Sequence, residues 1–386
     1  MADTPSPAPI PSPLPSAAAA GRAAPLPETP LDNPEHQPVA PDPYVRGMWY
    51  VAMPASALRR GAMRAQTILG EPVLFARRRD GSVFAIRDLC PHRGIPLRFG
   101  RFDGETVQCG YHGWRFDGAG QCTEIPSLIA SQQVDLGRIR CGAYRAAELQ
   151  GLIWIFMPDP AVAADRTPPL PEPLPDFGSD APRAAVTLLY ESDYDNAAFG
   201  MMDPAHIPFV HRAWWLSRSA ARLRDKEKHF EPAERGWRMA THPIRNVTPF
   251  HRLLGRRVET EITLALPGLR IERIFGERHR ILNLLAITPI DAKRTQMLQA
   301  IWWSMPGLGW LAPVVRAGAR QFLAQDGDII VKQNVGLAHD PGQMLVADAD
   351  AQMRWWLRLK DEWRAHRHEG RPFRNPVAPR TLRFRS

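Results

Sequence analysis

The chain has few cysteines, few lysines and no long apolar run. Four cysteines among 386 residues cannot form a disulfide scaffold and fit a reducing cytoplasm, where we expect the protein. The longest apolar stretch, Pro306–Val315, is far shorter than the roughly 20 residues that cross a bilayer. No basic segment followed by an apolar core opens the chain. Neither a secretory signal nor a transmembrane segment is therefore expected.

The net charge of +9 comes mainly from arginine, because only five of the 49 basic residues are lysine. Arginine is spread along the chain, and no helix-turn-helix or basic–aromatic module accompanies it. A solvated basic surface explains this pattern better than nucleic-acid binding does. Nucleic acid is therefore not an expected partner.

The first 43 residues differ in composition from the rest. They contain 13 of the 39 prolines and an alanine run at 17–20. Proline fixes φ and removes a hydrogen-bond donor, so residues 1–43 are expected to form a disordered tail. The remaining length suits two domains, which we predict at 44–160 and 161–386. A proline-rich stretch from 158 to 182 reads as the linker between them.

Two short loops each offer one cysteine and one histidine. The first holds Cys90 and His92, the second holds Cys109 and His112, and each has a glycine close to its histidine. Two thiolates and two imidazoles are the ligands of a [2Fe–2S] cluster in which histidines serve one iron. A structural zinc ion is the alternative, although zinc fingers usually pair like with like. The loops thus resemble those of the Rieske proteins.

The remaining cysteines indicate which Rieske type the chain resembles. In respiratory-complex proteins each loop carries an extra cysteine, and the two form a disulfide. Ile95 and Tyr111 take those places here, while Cys122 and Cys141 lie outside both loops and are expected to be small buried hydrophobes. The resemblance is therefore to the soluble, lower-potential type that receives electrons from a carrier.

Short apolar segments separated by turns surround the two loops. Hairpin turns are predicted at Arg79–Ser82 and within Arg115–Gly120, and a last strand is predicted at Leu152–Met157. This spacing predicts a small antiparallel sandwich or barrel. The ligand loops would then form its tip, with the histidines exposed.

A second set of candidate metal ligands follows at Asp203, His206 and His211. Two histidines and a carboxylate suit a mononuclear iron site. Asp203 and His206 are three residues apart and can share a helix face. His206 and His211 lie about 140° apart on an ideal helix, so we expect the helix to break between them at Pro208. Taken alone, such a motif is more often structural.

The two motifs together resemble the Rieske non-heme iron oxygenases, large subunit, over roughly residues 46–375. The family motif Asp-x-x-His-x-x-x-x-His matches this second set, and the extended motif looks most like the branch that includes pheophorbide a oxygenase. The resemblance implies that His206 and His211 bind Fe(II). It also implies that Asp203 forms an electron-transfer bridge to His112 of a neighbouring subunit, in a homotrimer. Many members carry asparagine three or four residues before this aspartate, where the chain has Gly200 and Phe199.

The third iron ligand must be a distant carboxylate. The family pattern of aspartate followed seven residues later by glutamine matches Asp326 and Gln333, with Asp328 as the alternative. An acidic helix N-terminus explains the same residues without a metal. Apolar residues near the iron segment are the tentative substrate pocket: Phe199, Met201, Met202, Phe209 and Trp214.

The predicted fold class is α+β. Strands are predicted at 258–264, 269–275, 279–287 and 296–303, followed by a long helix near 313–336 and a last helix near 348–368. The resemblance implies an all-β Rieske domain followed by a helix-grip domain, in which an antiparallel sheet surrounds the long helix.

The resemblance implies a terminal oxygenase component. It would use O₂ and electrons from a ferredoxin or flavin reductase to hydroxylate, demethylate or cleave a small apolar aromatic or polycyclic substrate. Monooxygenation is preferred to cis-dihydroxylation. Part of the basic surface would dock an acidic carrier, because complementary charge speeds encounter. The alternatives are a Rieske electron-transfer or redox-sensing protein without oxygenase activity, and a zinc-stabilised binding protein.

Overall fold

The structure is a computed structural model that describes residues 43–162, 165, 168–211, 223–244, 253–339, 341–342 and 344–386. The predicted tail, except for its last residue, and Trp214 lie outside these residues. None of the helices in the described part of the chain is both long and apolar enough to cross a membrane.

The first region is built of short antiparallel strands, as predicted, with three single-turn 3-10 helices in its connections at Ala55–Ala57, Leu97–Phe99 and Leu136–Arg138. They form three sheets with the orders β1-β11-β10, β2-β3-β4-β9 and β5-β6-β7-β8. The strands are β1 Met48–Pro54, β2 Met63–Ile68, β3 Glu71–Arg77, β4 Val83–Arg87, β5 Arg101–Phe102, β6 Val107–Gln108, β7 Arg115–Phe116, β8 Cys122–Glu124, β9 Ala143–Tyr144, β10 Ala146–Leu149 and β11 Leu152–Met157. Both predicted turns are present, with Arg78 N–H bonded to Ser82 O and Asp117 N–H bonded to Gln121 O.

The second region contains one eight-stranded antiparallel sheet in the order β12-β18-β17-β16-β15-β14-β13-β19. Its strands are β12 Ala184–Tyr190, β13 Asp225–Ala233, β14 Gly236–Pro243, β15 Glu259–Ala265, β16 Leu269–Phe275, β17 Arg280–Asp291, β18 Arg294–Trp303 and β19 Arg380–Arg385. The helices are α1 Tyr194–Met202, α2 Ile207–Val210, α3 Ala312–Leu337 and α4 Ala351–Glu369. The predicted α+β class, the long helix and the last helix are confirmed.

The large sheet lies between two apolar layers. On one face Leu282, Leu284 and Leu298 pack with Val51 and Trp154 of the first region. On the other face, Leu285, Ile287 and Met297 share a core with Leu323 and Ile330 of α3. Successive side chains of a strand point to opposite faces, so one strand supplies both layers. The inner face, toward α3, is the one that faces the candidate iron site.

The helical structure is interrupted between α1 and α2, earlier in the chain than predicted. Helix α1 ends at Met202, Asp203 caps it, and α2 begins only at Ile207. Pro204 lies in this break, whereas Pro208 occupies the first turn of α2, where a missing N–H costs nothing. The expectation of a break at Pro208 is therefore wrong, and Asp203 and His206 do not share a helix face.

Candidate metal centres

The two ligand loops of the first region repeat one backbone pattern. In the first, Cys90 N–H bonds to Ile95 O and Gly94 N–H bonds back to Cys90 O. In the second, Cys109 N–H bonds to Trp114 O and Gly113 N–H bonds back to Cys109 O. Gly94 and Gly113 have φ values of +70° and +73°, which residues with a Cβ rarely adopt. Glycine is thus required at the same point of each loop.

The thiols of these loops suit a bound cluster. Cys90 and Cys109 are 2% and 3% exposed and lie side by side. Burial raises the pKa of the Cys90 thiol to about 11, with a contribution from Cys109, although the backbone N–H groups of His92 and Arg93 favour the thiolate. Two neighbouring buried thiolates are stable only when a cation balances their negative charge. Iron supplies that charge, so the donor set fits a [2Fe–2S] cluster.

The histidines of the loops lie toward the outside. The His92 and His112 rings are 4.6 Å apart between centroids, and His92 is exposed. Trp114 stacks on His92 at 4.5 Å with an interplanar angle of 4°. The exposed Tyr111 ring lies 3.8 Å from that of His112. Cys122 and Cys141 are buried at 2% and 7% exposure, as predicted.

The short helix α2 brings the two candidate iron histidines together. His206 immediately precedes α2 and His211 immediately follows it, so one turn of helix aims both rings at α3. Their Nε2 atoms are 3.2 Å apart. Asp326 Oδ1 lies 3.3 Å from His211 Nε2 and 3.6 Å from His206 Nε2. These three residues form a group that could hold one metal ion, with ligand atoms within 4.8 Å of one another.

Asp326 is placed by close contact between α3 and strand β12. Tyr190 O–H donates to Leu323 O at 2.7 Å, one turn before Asp326. A Cβ on Gly327 would lie 3.3 Å from the Tyr190 ring, so glycine permits this approach. Asp328, the alternative ligand, is exposed and pairs with Lys332. Among the described residues, Asp326 is the aspartate of α3 that faces both histidines.

Polar partners orient both rings. His211 is 1% exposed, its Nδ1 lies 3.1 Å from Gln325 Oε1, and Phe322 stacks on it at 3.8 Å. His206 Nδ1 lies 3.6 Å from Asp203 Oδ2, while Asp203 Oδ1 accepts the Ala205 N–H. A histidine that binds a metal through Nε2 carries its proton on Nδ1, so these acceptors favour the metal-binding tautomer.

Burial affects the pKa of each member of this partly buried group. Burial raises the pKa of Asp326 to about 6, although the charges of His206 and Arg270 oppose that rise. Burial lowers the pKa of His211. Burial also acts to lower the pKa of His206, but Asp203 and Asp326 outweigh it and the pKa is raised. Two imidazoles and one carboxylate fit an Fe(II) ion, which replaces the missing counter-charge.

A cavity of about 640 Å³ opens beside this group, and its walls include His206 and Asp326. Most of the wall is apolar, with contributions from α1, α2, the sheet and α3: Phe199, Met201, Val210, Leu285, Met297 and Leu323. Two of the tentative pocket residues lie elsewhere. Met202 is 4% exposed and is part of the core, not of the cavity wall. Phe209 is exposed and lines a second, adjacent cavity.

The inner face of the sheet also carries a chain of polar side chains. Gln299 Nε2 donates to Asn283 Oδ1 at 2.9 Å, and Asn283 Nδ2 donates to Glu272 at 3.2 Å. Arg270 donates to the same carboxylate oxygen at 3.1 Å. Arg270 pairs across the strands with Leu285, a residue of the cavity wall. The sequence analysis missed this chain because its members lie on three different strands.

Sequence reasoning also missed Gln325, Phe322 and Trp114 as supports of the ligand rings. Gln325 immediately precedes Asp326, and Phe322 lies one helical turn before Asp326. Residues three or four apart share a helix face, so this spacing was a usable signal once Asp326 was chosen. Trp114 has a similar signal, since it follows the second ligand loop directly.

Two protein families match the chain. Residues 48–135 match the Rieske [2Fe-2S] domain, and residues 190–366 match the vanillate O-demethylase oxygenase C-terminal domain. The fold and its two candidate centres therefore define an iron–sulfur protein with a second, oxygenase-type domain. The predicted resemblance to the Rieske oxygenases is therefore confirmed in both domains, and the relatives of the chain include oxygenase components. The Rieske domain match confirms the expected [2Fe–2S] cluster, and the oxygenase domain match, with the oxygenase relatives, confirms the expected mononuclear iron.

Known relatives agree with this assignment. The dicamba O-demethylase oxygenase component of Stenotrophomonas maltophilia is 36% identical over 174 residues, covering 44% of this chain and 48% of that protein. The toluene-4-sulfonate monooxygenase iron-sulfur subunit TsaM1 of Comamonas testosteroni is 32% identical over 185 residues, covering 47% and 50%. The matched segment spans about half the length of these relatives. The crystal structure of apo dicamba monooxygenase has a TM-score of 0.65 at 20% identity, over 83% of this chain and 98% of that one, and so shows the shared fold.

Proposed function

We propose that the chain is the terminal oxygenase component of a multicomponent system. It uses O₂ and externally supplied electrons to hydroxylate, oxidatively demethylate or cleave a small apolar aromatic or polycyclic substrate. The observation that carries this proposal is the convergence of His206, His211 and Asp326 on the wall of an apolar cavity of about 640 Å³. A Rieske electron carrier needs no such convergence.

The protein residues have separate roles in this proposal. His206, His211 and Asp326 hold Fe(II), and Cys90, His92, Cys109 and His112 hold the cluster. When bound, the mononuclear iron supplies O₂ activation next to the substrate, and the cluster supplies one-electron transfer. His206 and Asp326 line the cavity, so a metal ion held by these residues would be accessible from it. The apolar wall excludes water and holds the substrate by shape rather than by charge.

Electron delivery is proposed to cross between subunits of a homotrimer. Asp203 would bridge to His112 of a neighbouring subunit. Asp203 has a side-chain exposure of 23%, and the His112 ring is partly exposed, so both can be reached from another subunit. A ferredoxin or flavin reductase would load the cluster, and the arginine-rich surface favours an acidic donor. A cytoplasmic location remains a prediction.

Monooxygenation is favoured over cis-dihydroxylation by two relatives, a toluene-4-sulfonate monooxygenase subunit and a 4beta-methylsterol monooxygenase. Their substrates differ widely in shape. The wall of the cavity contains Met201, Met297, Met344 and Met353, and methionine adapts to irregular ligands. A substrate panel should therefore include small aromatic acids, their methyl ethers and sterol-like compounds.

Iron stoichiometry and one substitution test the proposal. Fully loaded protein should contain three irons per chain, whereas two would indicate an electron carrier. His206→Ala should keep the visible absorption of the cluster and lose both the third iron and oxygen insertion. Retained turnover by His206→Ala would remove the site assignment, and an absent cluster spectrum in the wild type would favour a zinc protein instead.

A further inference from the structure

Helix α4 is bonded to the N-terminal turn of α1. Asp195, in that turn, accepts hydrogen bonds from Lys360 Nζ at 2.5 and 2.7 Å and from Trp356 Nε1 at 2.8 Å. Both donors are buried, with Lys360 at 3% and Trp356 at 1% exposure, while the Asp195 side chain is 32% exposed. Loss of Asp195 would leave the buried Lys360 ammonium without its counter-charge. This end of α1 is therefore held firmly.

The same helix is bonded to the C-terminal end of α1. Trp237 Nε1 can only donate, and it lies 2.9 Å from Gln352 Oε1. The amide of Gln352 is thereby oriented with Nε2 toward Met202 O, at 3.0 Å. Met202 is the last residue of α1, and its carbonyl falls among those a helix leaves without an internal partner. Gln352, itself 5% exposed, supplies that partner.

The spacing of these contacts matches along the two helices. Asp195 and Met202 are seven residues apart on α1, and Lys360 and Gln352 are eight apart on α4. At a rise of 1.5 Å per residue, these separations are about 10 and 12 Å. The order of the contacts makes the two helices antiparallel. Helix α1 cannot slide or rotate against α4 without breaking a buried polar contact.

Two candidate functional residues depend on where α1 ends. Asp203 follows Met202 directly. His206 lies three residues after Asp203, at the other end of the break. A ligand set tolerates little displacement, because metal sites demand ligand distances within a few tenths of an ångström. Through α1, α4 therefore determines where the first iron histidine and its neighbouring carboxylate lie.

We propose that Gln352, Trp356 and Lys360 of α4 are positioning residues for the iron centre. They bond to α1 and, by the contacts described, touch neither His206, His211 nor Asp326. The inference rests on the proposed function to the extent that those three residues bind the metal. It adds that metal affinity is set partly by a helix that contributes no ligand.

Helix α4 itself offers a matched pair of substitutions. Trp356→Phe removes an indole N–H bond of 2.8 Å to Asp195 of α1. Trp363→Phe, seven residues further along, removes an indole N–H bond of 2.8 Å to Arg46 O, in the segment before β1. Both tryptophans are buried, at 1% and 7% exposure, so both variants should lose stability to a similar extent. Only the first loses a bond to α1.

The measurement is Co(II) titration of full-length protein that keeps its cluster but has lost the mononuclear iron. Cobalt absorption gives the dissociation constant, and cluster absorption in the same sample reports correct folding. Trp356→Phe should weaken Co(II) binding about tenfold, the lower end for residues that support metal ligands, and Trp363→Phe should leave it unchanged. If Trp356→Phe does not assemble a cluster, Gln352→Met takes its place against the same control.

The outcomes separate this inference from the proposed function. Equal weakening by Trp356→Phe and Trp363→Phe, or no weakening by either, overturns the positioning role and leaves α4 as general structural support. Wild-type protein that keeps its cluster and binds no Co(II) contradicts the proposed iron site itself. A selective loss in the α1-directed variant supports both.

Discussion

Gln325 is expected to control the affinity of the iron site although it is not a ligand. Its Oε1 lies 3.1 Å from Nδ1 of His211, and that ring is 1% exposed and stacked against Phe322. Gln325→Leu removes the acceptor while keeping a side chain of similar size. Because the ring is enclosed, water cannot replace the lost partner, and the Nδ1–H is left buried without one.

The cost can be estimated from that burial. A buried donor without a partner costs about 1–3 kcal/mol, and each 1.4 kcal/mol corresponds to a tenfold change in affinity. Gln325→Leu should therefore weaken Fe(II) binding about 5- to 150-fold, which overlaps the 10- to 100-fold typical of residues that support ligands. Gln325→Glu keeps an acceptor for Nδ1–H and should stay within about threefold of wild type.

Competition with a chromophoric Fe(II) chelator measures this affinity, and the two cluster irons provide an internal reference. Gln321→Leu is the matched control, since Gln321 lies one turn earlier on α3 and is exposed. Wild-type affinity in Gln325→Leu would refute the reasoning. An equal loss in Gln321→Leu would do the same, because the effect would then be a general property of α3.

Two further predictions concern other parts of the chain. A Cβ on Gly100 would lie 1.8 Å from the backbone oxygen of Gln108, just before the second ligand loop. Gly100→Ala should therefore abolish cluster assembly, which visible absorption measures. An intact cluster spectrum would contradict this prediction. Arg371 holds the pKa of Glu362 down at about 2. Because the folded value lies below the unfolded value of 4.5, this stabilisation is present above pH 4.5 and is lost as the pH falls toward 2. The difference in thermal midpoint between wild type and Glu362→Gln should therefore narrow from pH 7 to pH 4, and a constant difference would count against the ion pair.

The ligand loops were predictable because they are local. Cys90 and His92 lie within one tight turn, as do Cys109 and His112, and a glycine at the same point of each loop gives the required backbone conformation. Such a pattern is fully present in the sequence. Strand β16 was also predicted with its observed ends, Leu269–Phe275, because it lies between a turn and a glycine.

The course of the backbone through the candidate iron site was less predictable from the sequence. Both Pro204 and Pro208 can end a helix, and nothing in the local sequence corrects the expectation of a break at Pro208. The contact of Met202 O with Gln352, 150 residues later, favours an end at Met202. Strands β12, β13, β14 and β19 were not predicted either. In β13, charged residues occupy many of the positions, and its pairing with β19 joins residues some 150 positions apart.

The two centres therefore differ in what can disturb them. The cluster ligands come from two neighbouring loops, and each loop is closed by its own backbone hydrogen bonds. Two candidate iron ligands flank α2 and the third comes from α3, and His211 and Asp326 are 115 residues apart in the chain. Their relative position is fixed by tertiary contacts alone, among them Tyr190 with α3 and α4 with α1. Substitutions far from the metal should thus reduce mononuclear iron before they reduce cluster content, and the ratio of the two irons reports directly on the packing of the second domain.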